Sequence, residues 1–221
     1  MNATQYLVSA AILSTSLLPL GGCSSAGIAM REQLGYAKRE QLVDRVEEAR
    51  DAQDAAKKQF ASALDEFQSL VGGGGSKLDE TYKRLKSQSD RAGDRAETVR
   101  ARIKSVEAVS AALFKEWQGE LAQFKDPSMR SKSEEMLSTT RGQYDKLIGA
   151  MKNAEGKMQP VLDAFNERVL FLKHNLNAQA VASLQGEVTR IEADVESLVR
   201  ELEASINEAN QFIDQMGDKA G

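Results

Sequence analysis

From Gln41 onward the apolar positions fall three and four residues apart. Leu42, Val46, Ala49, Gln53, Ala56, Phe60, Ala63, Phe67 and Leu70 follow steps of 4 and 3 without a break. With 3.6 residues per helical turn, that rhythm holds one seam on one side of a helix. Ala49, Ala56 and Ala63 thin the seam, so a partner helix can come close. "GGGGS" at 72–76 then ends the pattern, because glycine is costly inside a helix and at ease in a turn. A second seam follows: Leu78, Tyr82, Leu85, Ser89, Ala92, Ala96, Val99, Ile103, Val106, Ser110, Leu113 and Trp117. It predicts a helix from Lys77 to Phe124. "KDPS" stops it, since a residue before proline is pushed out of helical geometry and Pro127 or Ser128 suits the first turn of the next helix.

The third seam runs Leu137, Thr140, Tyr144, Leu147, Met151, Ala154, Met158, Val161, Phe165. Pro160 lies within it, and its ring would press on the carbonyl of Gly156, four residues earlier. A kink is expected there rather than a stop. After Phe165 the phase slips to Val169, Leu172, Leu176, Ala180, Leu184 and Val188. Steps of four in a row are a stutter. "LKHNLNAQ" (172–179) is by spacing either a bend between two helices or a straightened stretch of one; Asn175 and Asn177 suit a helix end, so a bend or locally loosened helix is expected over 173–179. The 3, 4 rhythm returns through Ile191, Val195, Leu198, Leu202, Ser205, Ala209 and Phe212. No alternation of period two suggests a sheet. The expected fold is all-α: an elongated, antiparallel, coiled-coil-like bundle of three to four long helices over residues 36–216, with a tail at 217–221. If the chain bends near His174, four helices of similar length favour an up-down bundle.

Composition agrees with this pattern. Charged residues make up 28% and aromatics 5% of the 221 residues, with only three prolines. A formal net charge of -4 gives no argument for nucleic acid, which calls for a basic stripe. "YKRLK" (82–86) and "RAGDRAETVRARIK" (91–104) are interrupted by acids and read as solvated faces. Residues 77–124 carry ten basic and eight acidic side chains, whereas residues 187–218 carry two and nine. Opposite signs of that kind can bias which helices become neighbours.

The N-terminal region differs in kind. Leu7 to Leu20 is an uncharged apolar run, the length of a signal-peptide core and too short to span a bilayer. Leu20-Gly21-Gly22-Cys23 follows and contains the one cysteine of the chain. Small residues suit a peptidase cleft, and the order resembles the bacterial lipobox. The resemblance implies a signal peptide at 1–22, a diacylglyceryl thioether on Cys23, and a short tether at 23–35. Two or more acyl chains make such an anchor stable. The competing reading is a thiol buried on an apolar helix. A single cysteine forms no internal disulfide. In enteric lipoproteins an Asp after the cysteine retains the protein at the inner membrane; Ser24 here favours the outer membrane.

Candidate chemistry is sparse. His174 is the only histidine, and Phe171 stands three residues before it, so the Glu-x-x-His pairs of a di-iron bundle are missing. No zinc site, P-loop or nucleophile elbow is legible, and no cofactor is expected. His174, Asn175 and Asn177 form a candidate partner-contact site at the phase slip; the competing reading is a polar patch satisfying backbone groups. Trp117 with Phe114, and Met136, Met151 and Met158, read as core packing.

Three blocks carry a family resemblance: "KREQLVDRVEEARDAQDAAKKQF" (38–60), "VLFLKHNLNAQAVASLQGE" (169–187) and "IEADVESLVRELEASI" (191–206). Together they resemble a proteobacterial lipoprotein family known as domain of unknown function 2959, over nearly all of residues 31–213. The resemblance implies a helical cell-envelope lipoprotein and brings no ligand or catalytic residue. The function expected is a non-enzymatic, lipid-anchored periplasmic scaffold or adaptor with an envelope protein partner, and a homo-oligomer is compatible with the long seams. The alternative is a bundle that carries a hydrophobic or lipid ligand.

Overall fold

The computed structural model describes Ile28, residues 37–73 and residues 77–217. The expected signal peptide, Cys23, most of the tether, residues 74–76 and the last four residues lie outside the described residues. Within them the chain is helical, with no strand. Four long helices carry the fold: α1 (Lys38–Gly72, 35 residues), α2 (Leu78–Glu120, 43 residues), α3 (Pro127–His174, 48 residues) and, after a short α4 (Ala178–Ser183), α5 (Val188–Gly217, 30 residues). The expectation of four matched helices fails for the last. The stretch from Asn175 to Glu187 is a connection containing α4 and a 3-10 turn, Gln185–Glu187, so α5 starts late.

The helices pack in a ring, α1 on α2, α2 on α3, α3 on α5 and α5 on α1. Specific bonds fix an antiparallel register. Lys38–Glu116 (2.7 Å), Arg102–Glu48 (2.8 Å) and Arg84–Glu66 (3.0 Å) run down the α1–α2 pair. Arg100–Glu155 (2.7 Å) and Lys152–Glu107 link α2 to α3. The Arg39 guanidinium donates to the Met216 carbonyl, and Ser205 Oγ donates to Gln53 Oε1 at 2.9 Å, between α1 and α5. The basic α2 and the acidic α5 sit on a diagonal of the ring and are not among its packed pairs. Charge balance therefore does not choose the neighbours. Exposed pairs of this kind are worth roughly 0–1 kcal/mol each, too little to override the fit of the seams.

The seams read from the sequence are the core. Every predicted position from Leu42 to Leu70 is buried, as are Leu85 to Ser110, Leu147 to Phe165 and Ile191 to Phe212 at the seam spacing. Phe60, Phe67, Phe165 and Phe212 are among the largest fully buried side chains, each stabilising the fold by roughly 1.5–3 kcal/mol over exposure. Phe67 and Phe165 meet edge to face, with centroids 6.5 Å apart. Thin positions face thin positions: Ala49, Ala56 and Ala63 on α1 share the core with Ala92 and Ala96 of α2, its most extensive partner.

Helix ends follow local chemistry. Asp126 caps α3 by accepting from the Ser128 amide at 2.7 Å, with Pro127 in the first turn. The helix continues through Pro160 to His174, so the proline does not stop it. Lys77, just before α2, holds φ at 61°, a left-handed conformation uncommon for a residue with a side chain.

The two ends differ. At the hairpin end, α2 and α3 outrun α1 and α5, and a second apolar cluster of Phe114, Leu121 and Leu137 holds them together. Trp117 packs at its margin and donates from Nε1 to Ser133 Oγ at 2.9 Å. Met151 and Met158 fill the core as expected, but Met136 is 46% exposed at this end, on the side of an open groove. Ile28 is also buried here, its carbonyl oxygen 3.5 Å from Gln41 Nε2. Part of the expected tether is thus packed on the bundle. The opposite, corner end holds the α3–α4–α5 connection.

Candidate functional site

The corner is where sequence regularity and structure both break. α3 ends at His174 because Asn175 leaves helical geometry, at φ −131° and ψ 42°. Asn175 Nδ2 donates to the Phe171 carbonyl at 3.1 Å, and its own amide donates to Leu172 at 3.2 Å. Two carbonyls that the helix end leaves without intrahelical donors are thereby satisfied. Asn177 opens α4 by accepting from the Ala180 amide at 2.9 Å, the usual role of asparagine at a helix N-cap. Arg168 then ties the corner shut, reaching Glu187 at 2.6 Å while its side chain stays 13% exposed. Beneath it Leu172, Val181 and Leu184 join the core.

The three residues singled out from sequence are together, and they are exposed. Asn175 and Asn177 have local duties that account for their positions, as the polar-patch reading holds. His174 is exposed at the end of α3. Cys23 lies outside the described residues. The feature that sequence reasoning passed over is apolar: Leu170 is 59% and Phe171 40% exposed, one turn before the corner. A signal existed. "VLFL" (169–172) is four apolar residues in a row, and a helix facing the core along one stripe cannot bury four consecutive positions. Val169 and Leu172 turn inward, which leaves Leu170 and Phe171 outward.

Two concave regions lie elsewhere on the bundle. A half-open groove of about 270 Å³ lies at the hairpin end, lined by Leu113, Trp117, Met136, Thr140 and Met216 with Arg39, Glu116 and Glu120. A second, polar surface cleft runs past Gln59, Arg91 and Arg95. Among the described residues no group of three or more His, Cys, Asp or Glu is placed to hold a metal. Also among them, no helix is long and apolar enough to cross a membrane. The shifted ionisations belong to surface pairs and one half-buried phenol. Hydrogen bonds to Asp79, Asp90 and Glu107 raise Lys83, Lys86 and Lys152, and Lys58 lowers Asp54. None of these forms a cluster around a cavity.

Residues 28–216 match the family described as a protein of unknown function, DUF2959. The chain belongs to that family. The DUF2959 match starts at the buried Ile28 and ends at Met216, so the family domain and the folded bundle coincide. No curated protein and no solved structure matches the chain.

Proposed function

We propose that this protein is a non-enzymatic, lipid-anchored strut of the bacterial cell envelope, held by Cys23 and offering the α3–α4 corner to an envelope protein. The observation that carries the reading is the contrast between a filled shaft and two chemically distinct ends. The chain enters α1 at the hairpin end, on the side of the lipobox-like sequence. The exposed Leu170–Phe171 pair stands at the other end, beside His174. α3, at 48 residues, sets the span between them, about 72 Å at 1.5 Å per residue. Ser24 after the cysteine favours the outer membrane, with the bundle in the periplasm.

The packing supports a strut over a carrier. Layers of fully buried Phe, Leu, Met and Ala fill the shaft. The apolar groove at the hairpin end, about 270 Å³, falls below the roughly 300 Å³ at which pockets for small molecules begin, and it is open to one side.

Fractionation of cells carrying Cys23→Ser tests the anchor. The protein should leave the membrane fraction and keep its helical circular dichroism. Cys23→Ser that still sediments with membranes after a high-salt wash would overturn the reading.

A further inference from the structure

We infer that the tip of the α2–α3 hairpin is a second membrane contact, set down on the lipid surface that holds the anchor. The inference rests on the proposed lipidation of Cys23 and adds to it a site that the lipid alone does not require. It comes from chain length. Ile28 is buried in the core and sits against Gln41 in the first turn of α1. Five Cα steps separate it from Cys23, which at full extension is about 17 Å. The tip rises at least as far, and the Arg102–Glu48 and Arg84–Glu66 bridges set it higher still. The Lys38–Glu116 bridge levels α1 with α2; from there to Phe124, four helical steps and a 3-10 turn climb to about 17 Å above Gln41. While Ile28 stays packed, the lipidated cysteine can reach no higher than the tip. Acyl chains on Cys23 therefore bring the bilayer down onto Phe124.

The surface chemistry of the tip fits that position. Phe124 is 39% and Met129 53% exposed, on either side of the turn at Asp126–Pro127. Lys125 and Lys132 flank them, exposed and without an ion pair among the described residues. Asp126, the acid at the turn, points its carboxylate at the amides of Ser128 and Met129. Apolar side chains with lysines beside them are suited to the boundary between headgroups and acyl chains, where anionic lipids attract the cations. Two contacts, the lipid anchor and an apolar tip, would also fix the shaft's tilt, which the anchor alone would not.

The test uses the mature protein purified from cells and reconstituted in vesicles of phosphatidylethanolamine and phosphatidylglycerol. A lipidated Cys23 has no free thiol, so a cysteine placed at Met129, Lys146 or Leu170 takes a polarity-sensitive fluorophore alone. Wild-type protein should resist labelling and float with the vesicles. The probe at Met129→Cys should shift to the blue and lose most of its emission to nitroxide-bearing lipids. Probes at Lys146→Cys, on the shaft, and Leu170→Cys, at the corner, should do neither. A probe at Met129→Cys as wet as that at Lys146→Cys, on vesicles that carry the protein, overturns the tip contact and leaves the anchor standing. Quenching at all three sites overturns it in favour of a rod lying flat. A blue shift at Met129→Cys that persists in detergent and grows with protein concentration assigns the tip to a second copy instead. Wild-type protein that labels at Cys23 overturns the anchor and the tip contact together.

Discussion

Two buried polar groups decide how the seams meet. Gln53 and Ser205 are both fully buried, and the 2.9 Å bond between them is the polar exception in an apolar layer of α1 and α5. Slipping α5 by one turn would part them and bury both unbonded, so the pair specifies register. Ser205→Ala leaves Gln53 Oε1 without its donor and should lower stability by about 1–3 kcal/mol in urea unfolding. Replacing both by apolar residues should recover most of that loss, and no recovery would mean that the pair does not act as a unit. Tyr144 offers a different check. Burial against Phe114, 5.5 Å away, raises its phenol above the ordinary value of 10.0, partly opposed by a hydrogen bond with Ser110. The folded state thus holds the proton more tightly than the unfolded chain. That contribution is complete below the unfolded pKa and is lost as pH rises through the folded one. In near-ultraviolet titrations of wild type and Tyr144→Phe, the step missing from the variant should lie above 10.0; a missing step at or below it would contradict this.

Among the elements, the long helices and the place of the corner were legible, and the form of the corner was not. From Leu42 to Phe212 the steps of three and four named the buried residues directly, because a helix that packs on two neighbours must repeat its apolar stripe. Val99, fully buried between helices, shows what that stripe does: Val99→Asp should cost several kcal/mol, about 3–5, as an unpaired carboxylate in an apolar layer. An unchanged thermal midpoint would place Val99 outside the core. At the corner the spacing alone left two readings, and the helix-end preference of asparagine pointed to the bend over 173–179 that the structure shows. Leu176, Ala180, Leu184 and Val188 step by four, which fits both a straight helix and this broken one, and only the capping bonds of Asn175 and Asn177 choose the break. Helix lengths failed for the same reason, since the connection takes residues that α5 was expected to own. Exposure on the overhang was partly legible: Met136 stands one position off the α3 seam, beside Leu137, and it lines an open groove with Arg39 and Met216 instead of the core. Asn177→Ala removes the cap of a six-residue helix and should cost about 1 kcal/mol. Amide exchange should be faster at 173–179 than at 188–202, and uniform protection across both would argue for one unbroken helix.

On the scale of the whole molecule, a closed ring of helices with a filled core has its chemistry at the ends. The shaft between them is a spacer whose length α3 sets and whose stiffness comes from seams buried along every packed pair. Such a body can transmit position: in the proposed strut, what a lipid on Cys23 would fix at one end, the corner would present at the other. Leu170 and Phe171 lie outside the core cluster, so Leu170→Ser with Phe171→Ser should lower stability by no more than about 1 kcal/mol while removing the proposed partner surface. The most direct measurement is photocrosslinking in intact cells from a residue placed at Phe171, with Lys146 on the shaft as control. A strut bridging lipid to protein should give a discrete adduct from position 171, none from position 146, and loss of the adduct when Cys23→Ser frees the chain from its membrane. The same pattern of adducts from both positions, or an adduct at 171 indifferent to Cys23, would contradict it.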